Sequence, residues 1–235
     1  MRQAVVVVAA GTAAGTAAGT ADGRAAAQWA ALEAARGGLR LHVTQEGEPD
    51  AVLREARPAR LLVLGAHDTR QVRAVAAQAP CPTVVVPSTT AHGGGGSREI
   101  ALMLDARHPA EPALDFAFDR ARRLGVPLRA VHAWRLPDIV ERAWPFAVPE
   151  AERATWEAHE TQLLADALRP WRHKYPQVDV VPDVVRFSAA DALVWAARRA
   201  ELLVAGRTGT CLEPGLRALL AHPEGAVIAV VPDGP

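Results

Sequence analysis

The sequence predicts an α/β protein in which parallel strands are flanked by helices. Three observations carry that prediction. Short apolar runs, among them Ala4–Val8, Leu61–Leu64 and Leu202–Ala205, alternate with longer segments of helical periodicity, as buried parallel strands alternate with crossover helices. One phrase occurs twice, as LLVLGAHD at Leu61–Asp68 and as LLVAGRTG at Leu202–Gly209. The second occurrence ends in Gly-x-x-Gly, and residues just past such a strand line the ligand crevice of a parallel sheet, where glycines let the backbone approach a phosphate. In the first occurrence Asp68 stands where the second glycine would be.

The chain therefore reads as two copies of one unit. Its 235 residues, half of them hydrophobic, suit one large domain or two small ones. A formal net charge of +0 gives no global field to attract nucleic acid or an anionic membrane, and neither is expected as a partner. Lys174 is the one lysine among 26 basic residues, which reads as a coding bias towards arginine. Cys81 and Cys211 lie in different halves and the eight histidines are scattered, so no disulfide framework or metal site is expected. The opening MRQAVVVVAAGT is too short an apolar run for a signal peptide or a membrane span. A soluble, cytoplasmic protein is expected.

The first copy covers residues 1–87. Strand Ala4–Val8 leads into three AAGT repeats, read as a low-complexity surface loop. A helix is expected over Gly23–Arg36, with Asp22 as N-cap, Gly37-Gly38 as the stop and Trp29 in its core face. Strand Leu39–Val43, helix Pro49–Ala56, strand Leu61–Leu64 and helix Asp68–Gln78 follow. The last strand lies within Ala79–Pro87, with prolines at both ends, and Cys81 is read as a small buried residue. Residues 88–98, STTAHGGGGSR, form a Gly/Ser linker spanning roughly 18 Å, enough to let two units pack together.

The second copy covers residues 99–235. Strand Glu99–Leu104 places Asp105 at its carboxyl end. Helix Pro112–Leu124 starts on a proline and stops at Gly125. Arg120, Arg122 and Arg123 are read partly as its solvated face, and strand Leu128–Ala133 follows. A long helix from Glu150 carries Leu164, Leu168, Trp171 and Tyr175 on one face, and Pro170 is expected to kink or end it. His159, beside Glu157 and Glu160, is assigned to a solvated face. A strand lies within Val178–Phe187, and Ser188 with Asp191 forms a capping box for a helix to Arg199. Strand Leu202–Ala205, the glycine loop, a short helix near Leu216–His222 and strand Ala226–Val231 complete the unit. The first copy thus lacks a helix-containing block and one strand.

These pieces resemble the universal stress protein family, in a tandem two-domain form. The matching stretches are VPLRAVHAWRLP, LLADALRPWRHKYPQVDV, AELLVAGRTG, APCPTVVVP and AVIAVVP. The second copy matches over nearly its whole length and the first over its ends. The resemblance implies two adenine-nucleotide α-hydrolase-like domains, each a parallel sheet flanked by helices, the first reduced. It further implies pairing of the two through their last strands, as an internal pseudo-dimer.

Nucleotide-binding members carry an aspartate after the first strand, and Gly-x-x-Gly, nine residues and Gly-Ser or Gly-Thr after the fourth. Asp105, Gly206 and Gly209 match positions of that pattern, and Arg207 offers one charge beside them. Nine residues past Gly209, however, stand Leu219-Leu220, and alignment from the last strand puts Glu213-Pro214 at the missing position. In the first copy Ala10 replaces the aspartate. The resemblance therefore implies a degenerate nucleotide site formed by Asp105, Gly206, Arg207 and Gly209, suited to AMP or adenosine, or weakly to ATP, with no certain cofactor. No catalytic set is recognisable from spacing. The expected function is a non-enzymatic stress-response module acting by protein contacts, through a homodimer or a protein partner bound by the first domain. The alternative is an ATP-binding or slowly ATP-hydrolysing enzyme on the same scaffold.

Overall fold

In the computed structural model the structure describes residues 4–9, 20–45, 48–89, 98–136, 139, 148–223 and 225–233. The AAGT repeats with Ala10, the glycine tract of the linker and most of the segment before the long helix lie outside these residues.

The strands are β1 (Ala4–Ala9), β2 (Arg40–Gln45), β3 (Ala59–Gly65), β4 (Thr83–Val86), β5 (Ile100–Met103), β6 (Leu128–Ala133), β7 (Val180–Val185), β8 (Leu202–Arg207) and β9 (Val227–Pro232). They form one sheet in the order β2-β1-β3-β4-β9-β8-β5-β6-β7. Every pairing is parallel except β4 with β9, where Thr83, Val84 and Val85 oppose Val230, Ala229 and Ile228. The strand pair expected from sequence is thus hydrogen-bonded, and two parallel sheets become one continuous surface. Among the described residues the second half has five strands and the first has four.

Helices α1 (Ala21–Gly37), α4 (Glu111–Leu124) and α5 (Glu150–Lys174) cover one face of the sheet. Helices α2 (Pro49–Ala56), α3 (Thr69–Gln78), α6 (Ala189–Ala197) and α7 (Pro214–Ala221) cover the other. Alternation along β3 serves both layers. Leu61 and Val63 pack under α1, while Leu62 and Leu64 pack towards α2 and α3.

Several local expectations need correction. The N-cap of α1 is Thr20, whose Oγ1 accepts from the Gly23 N–H at 3.1 Å. Asp22 lies in the first turn and accepts from the Ser88 N–H at 2.6 Å. The buried stripe of α1 is Gly23, Ala26, Ala30, Glu33 and Ala34, so the helix sits close to the sheet; Trp29 packs half-buried against this core, as expected, while Leu32 is exposed. Pro170 does not end α5, which runs on to Lys174. Pro170 is exposed, and the turn beyond it is held by Trp171 and Tyr175, whose rings lie 5.9 and 5.5 Å from that of Phe118 on α4. Cys81 is buried, and burial pushes its thiol up to about 12, as expected for an inert apolar position.

Candidate nucleotide crevice

The chain leaves β5 towards β6 on one side, and β8 lies on the other. A parallel sheet opens a crevice where its strand order reverses in this way. Here the crevice has a volume of about 450 Å³ and is lined by Asp105, His132, Gly206, Thr208 and Glu213, among others. Asp105 follows directly on β5. Its Oδ1 accepts from the Arg107 N–H at 3.0 Å, and its Oδ2 lies 3.1 Å from His108 Nδ1. Burial pushes the Asp105 carboxyl up, but the bonds from Arg107 and His108 and the nearby histidines outweigh it and hold the carboxyl below its ordinary range. Asp105 is therefore an ionised acceptor at the mouth, able to take the hydroxyls of a sugar.

Beneath it lies a buried polar cluster. His132, on β6, has Nε2 3.0 Å from Oε2 of Glu160 on α5. Its Nδ1 lies 3.3 Å from the Ala106 nitrogen and 3.1 Å from the Leu104 carbonyl oxygen, and beside an ionised carboxylate Nε2 carries a proton. Arg107 closes the cluster on the other oxygen of Glu160. Burial raises the Glu160 carboxyl, and the bonds from Arg107 and His132 overcome this and lower it. The long helix thus anchors the loop that carries Asp105. His159 is exposed, as expected, but Glu160 beside it is buried, which the reading of a solvated face did not register. The signal was present, because Glu160, Leu164 and Leu168 follow at spacings of four, so the apolar stripe of α5 continues through a carboxylate.

The four residues picked from sequence do not converge. Asp105 and Gly206 line the crevice, whereas Arg207 and Gly209 line a separate groove. Gly206 and Arg207 still belong to β8, so the Gly-x-x-Gly begins inside the strand. A Cβ at Gly206 would come within 2.9 Å of the Ala110 Cβ, so that glycine permits α4 to approach the sheet. Gly209 has φ +60° with open space around it, and serves a left-handed turn. Arg207 is buried and donates from Nη2 to the Ala79 carbonyl at 2.7 Å and from Nη1 to the Gly209 carbonyl. It does not offer its charge to the crevice. Glu213 does face the crevice, at the residue before α7. Among the described residues, no cluster of three or more His, Cys, Asp or Glu could hold a metal ion, and no helix is long and apolar enough to cross a membrane.

The universal stress protein family model matches residues 96–228, more than half of the chain and the whole of the crevice. The chain belongs to the universal stress protein family. A universal stress protein of Mycobacterium tuberculosis is 34% identical over 134 residues, which are 56% of this chain and 42% of that protein. One from Mycobacterium bovis is 32% identical over 148 residues, 63% of this chain and 47% of its own length. The matches thus span less than half the length of these relatives. Among solved structures, a universal stress protein from Archaeoglobus fulgidus superposes with TM-score 0.54 at 11% identity, covering 98% of this chain and 88% of that one. A functionally unknown Pseudomonas aeruginosa protein gives TM-score 0.54 at 15% identity, with 99% and 93% covered. These two likenesses concern the universal stress protein fold and extend it over nearly all of the chain.

Proposed function

We propose that this universal stress protein is a non-catalytic module that acts by protein contacts, and that its crevice takes adenosine or AMP in preference to ATP. The observation behind this reading is the lining of the crevice, where Arg107 is engaged by Glu160. Asp105 and Glu213 both face it, while Arg207 and Gly209 lie on another groove. A triphosphate is held mainly by backbone N–H groups and hydroxyls, each worth about 1.5–3 kcal/mol to a charged group. Losing three such bonds removes roughly 5–9 kcal/mol, against about 8 kcal/mol for a whole micromolar affinity. Residues 1–87 and 99–235 form the two units, joined by the linker 88–98 and paired through β4 and β9 as an internal pseudo-dimer. Expressed alone, residues 1–87 are expected to aggregate, because the lone unit leaves the β4 edge open.

Thermal-shift and calorimetric titration with adenosine, AMP, ADP and ATP test the ligand reading. Adenosine and AMP should stabilise the protein at concentrations where ATP does not, and Glu213→Gln should narrow the difference. Micromolar ATP binding that disappears on Gly209→Glu, with phosphate release, would establish the hydrolase reading instead.

A further inference from the structure

At the seam the carboxyl ends of β8 and β9 meet the amino ends of β3 and β4. Helices α1 and α4 stand over this place, and between them lies a groove of about 700 Å³. Its walls are mostly apolar, with Leu61, Phe116, Pro82 and Val231 among them. It shares no lining residue with the nucleotide crevice.

Its lining carries four arginines and four carboxylates, and one of the carboxylates, Asp115, is engaged from outside the lining by Lys174. Arg120 pairs with Glu33, and Arg123 with Asp119. Asp115 is engaged by Lys174 and by the Tyr175 hydroxyl. What remains on the lining is Arg60 and Arg207 against Asp233. Arg207 is only 6% exposed, its guanidinium is held by two carbonyls with no carboxylate bonded to it, and its Nε has no partner. A second buried arginine of the groove, Arg120, 5% exposed, also has an unpartnered Nε. Burial lowers the Arg207 pKa, and the nearby charge of Asp233 only partly offsets this. A buried cation bonded to neutral groups alone is poorly stabilised, and an anion brought beside it would gain a strong charge-assisted contact.

We propose that the seam groove is a second ligand site, for a small monoanion with an aromatic or aliphatic body. The body lies on Leu61, Phe116 and Val231, and the carboxylate or sulfonate faces Arg207. Such pockets combine apolar walls with few polar groups that fix orientation. The site is independent of the nucleotide reading.

The probe is 1-anilinonaphthalene-8-sulfonate, titrated by fluorescence against the full chain. One site per chain is expected, weakening with added salt. Arg207→Met should weaken binding about tenfold or more, while Arg207→Lys keeps most of it. Phe116→Asp, which places a carboxylate on a half-buried wall, should abolish binding and decides the matter should Arg207→Met fail to fold. The neutral N-phenyl-1-naphthylamine should bind parent and Arg207→Met alike. Saturating AMP should not displace the probe. Probe binding within twofold of the parent in a folded Arg207→Met, or in Phe116→Asp, would overturn the proposal, as would displacement by AMP.

Discussion

Nε2 of His132 and Oε2 of Glu160 lie 3.0 Å apart, with both side chains buried, and they tie the second half of the sheet to the long helix beneath the loop of Asp105. The Glu160 carboxyl is held below its ordinary range by Arg107 and His132 despite burial. Its contribution to stability is therefore complete above the unfolded-chain value near 4.3 and is lost as pH falls through the lower folded value. Glu160→Gln should cost about 2 kcal/mol at pH 7, lowering Tm by about 4–8 °C. Urea unfolding from pH 7 to pH 3.5 should show the gap between parent and variant constant above about pH 5 and narrowing below about pH 4.3. A gap that stays the same at low pH would mean that Glu160 acts through packing alone.

Glu33 on α1 and Arg120 on α4 form a buried ion pair between the two halves, and Arg120 also lies over the Trp29 ring at 4.6 Å. Removing one partner leaves a buried charge uncompensated, at about 3–5 kcal/mol. Glu33→Leu should therefore destabilise strongly, while Glu33→Leu with Arg120→Met should recover most of the loss. A double-mutant cycle in urea measures the coupling. Additive single effects would show that the pair contributes nothing.

The glycines of the Gly-x-x-Gly phrase act on the fold before any ligand arrives. Gly206→Ala drives a methyl against Ala110 and should cost about 1–3 kcal/mol. Gly209→Ala imposes a left-handed backbone on alanine and should cost about 1 kcal/mol. Differential scanning calorimetry of the nucleotide-free protein should register both. An unchanged Tm in either variant would return that glycine to a purely ligand-binding role.

The edge strand β2 presents Leu41 and Val43, 41% and 54% exposed, with Leu32 of α1 at 57%. Leu41 is in register with Val5 and Leu61, so it lies on the face that α5 covers in the second half. This strip, on an open sheet edge, is where a second copy of the chain is expected to dock. Light scattering should report a dimer for the parent and a monomer for Leu41→Lys with Val43→Lys. Tm should change little for the monomeric variant, since exposed substitutions are usually within about 0.5 kcal/mol. A parent that remains monomeric at high concentration would show that this edge is closed to self-association.

Most of the architecture was legible in the sequence because strands and helices declare themselves by local periodicity. The apolar runs located the strands, Ser188 and Asp191 marked the cap of α6, and Gly125 marked the end of α4. What a side chain faces across the fold is not local. Glu33, Arg120 and Glu160 each stand within an apolar stripe, so their burial was available from spacing, and Arg120, read as partly solvated, is buried; their partners lie 87, 87 and 28 residues away, in the pairs Glu33–Arg120 and His132–Glu160. Only the tertiary structure decided that Arg207 crosses to the Ala79 carbonyl and that Gly209 turns away from Asp105. The physical reason is the antiparallel meeting of β4 and β9. It brings the end of β8 beside the end of α3, so Arg207 and Gly209, part of a phrase that reads as a phosphate loop in one dimension, are taken up by the seam in three.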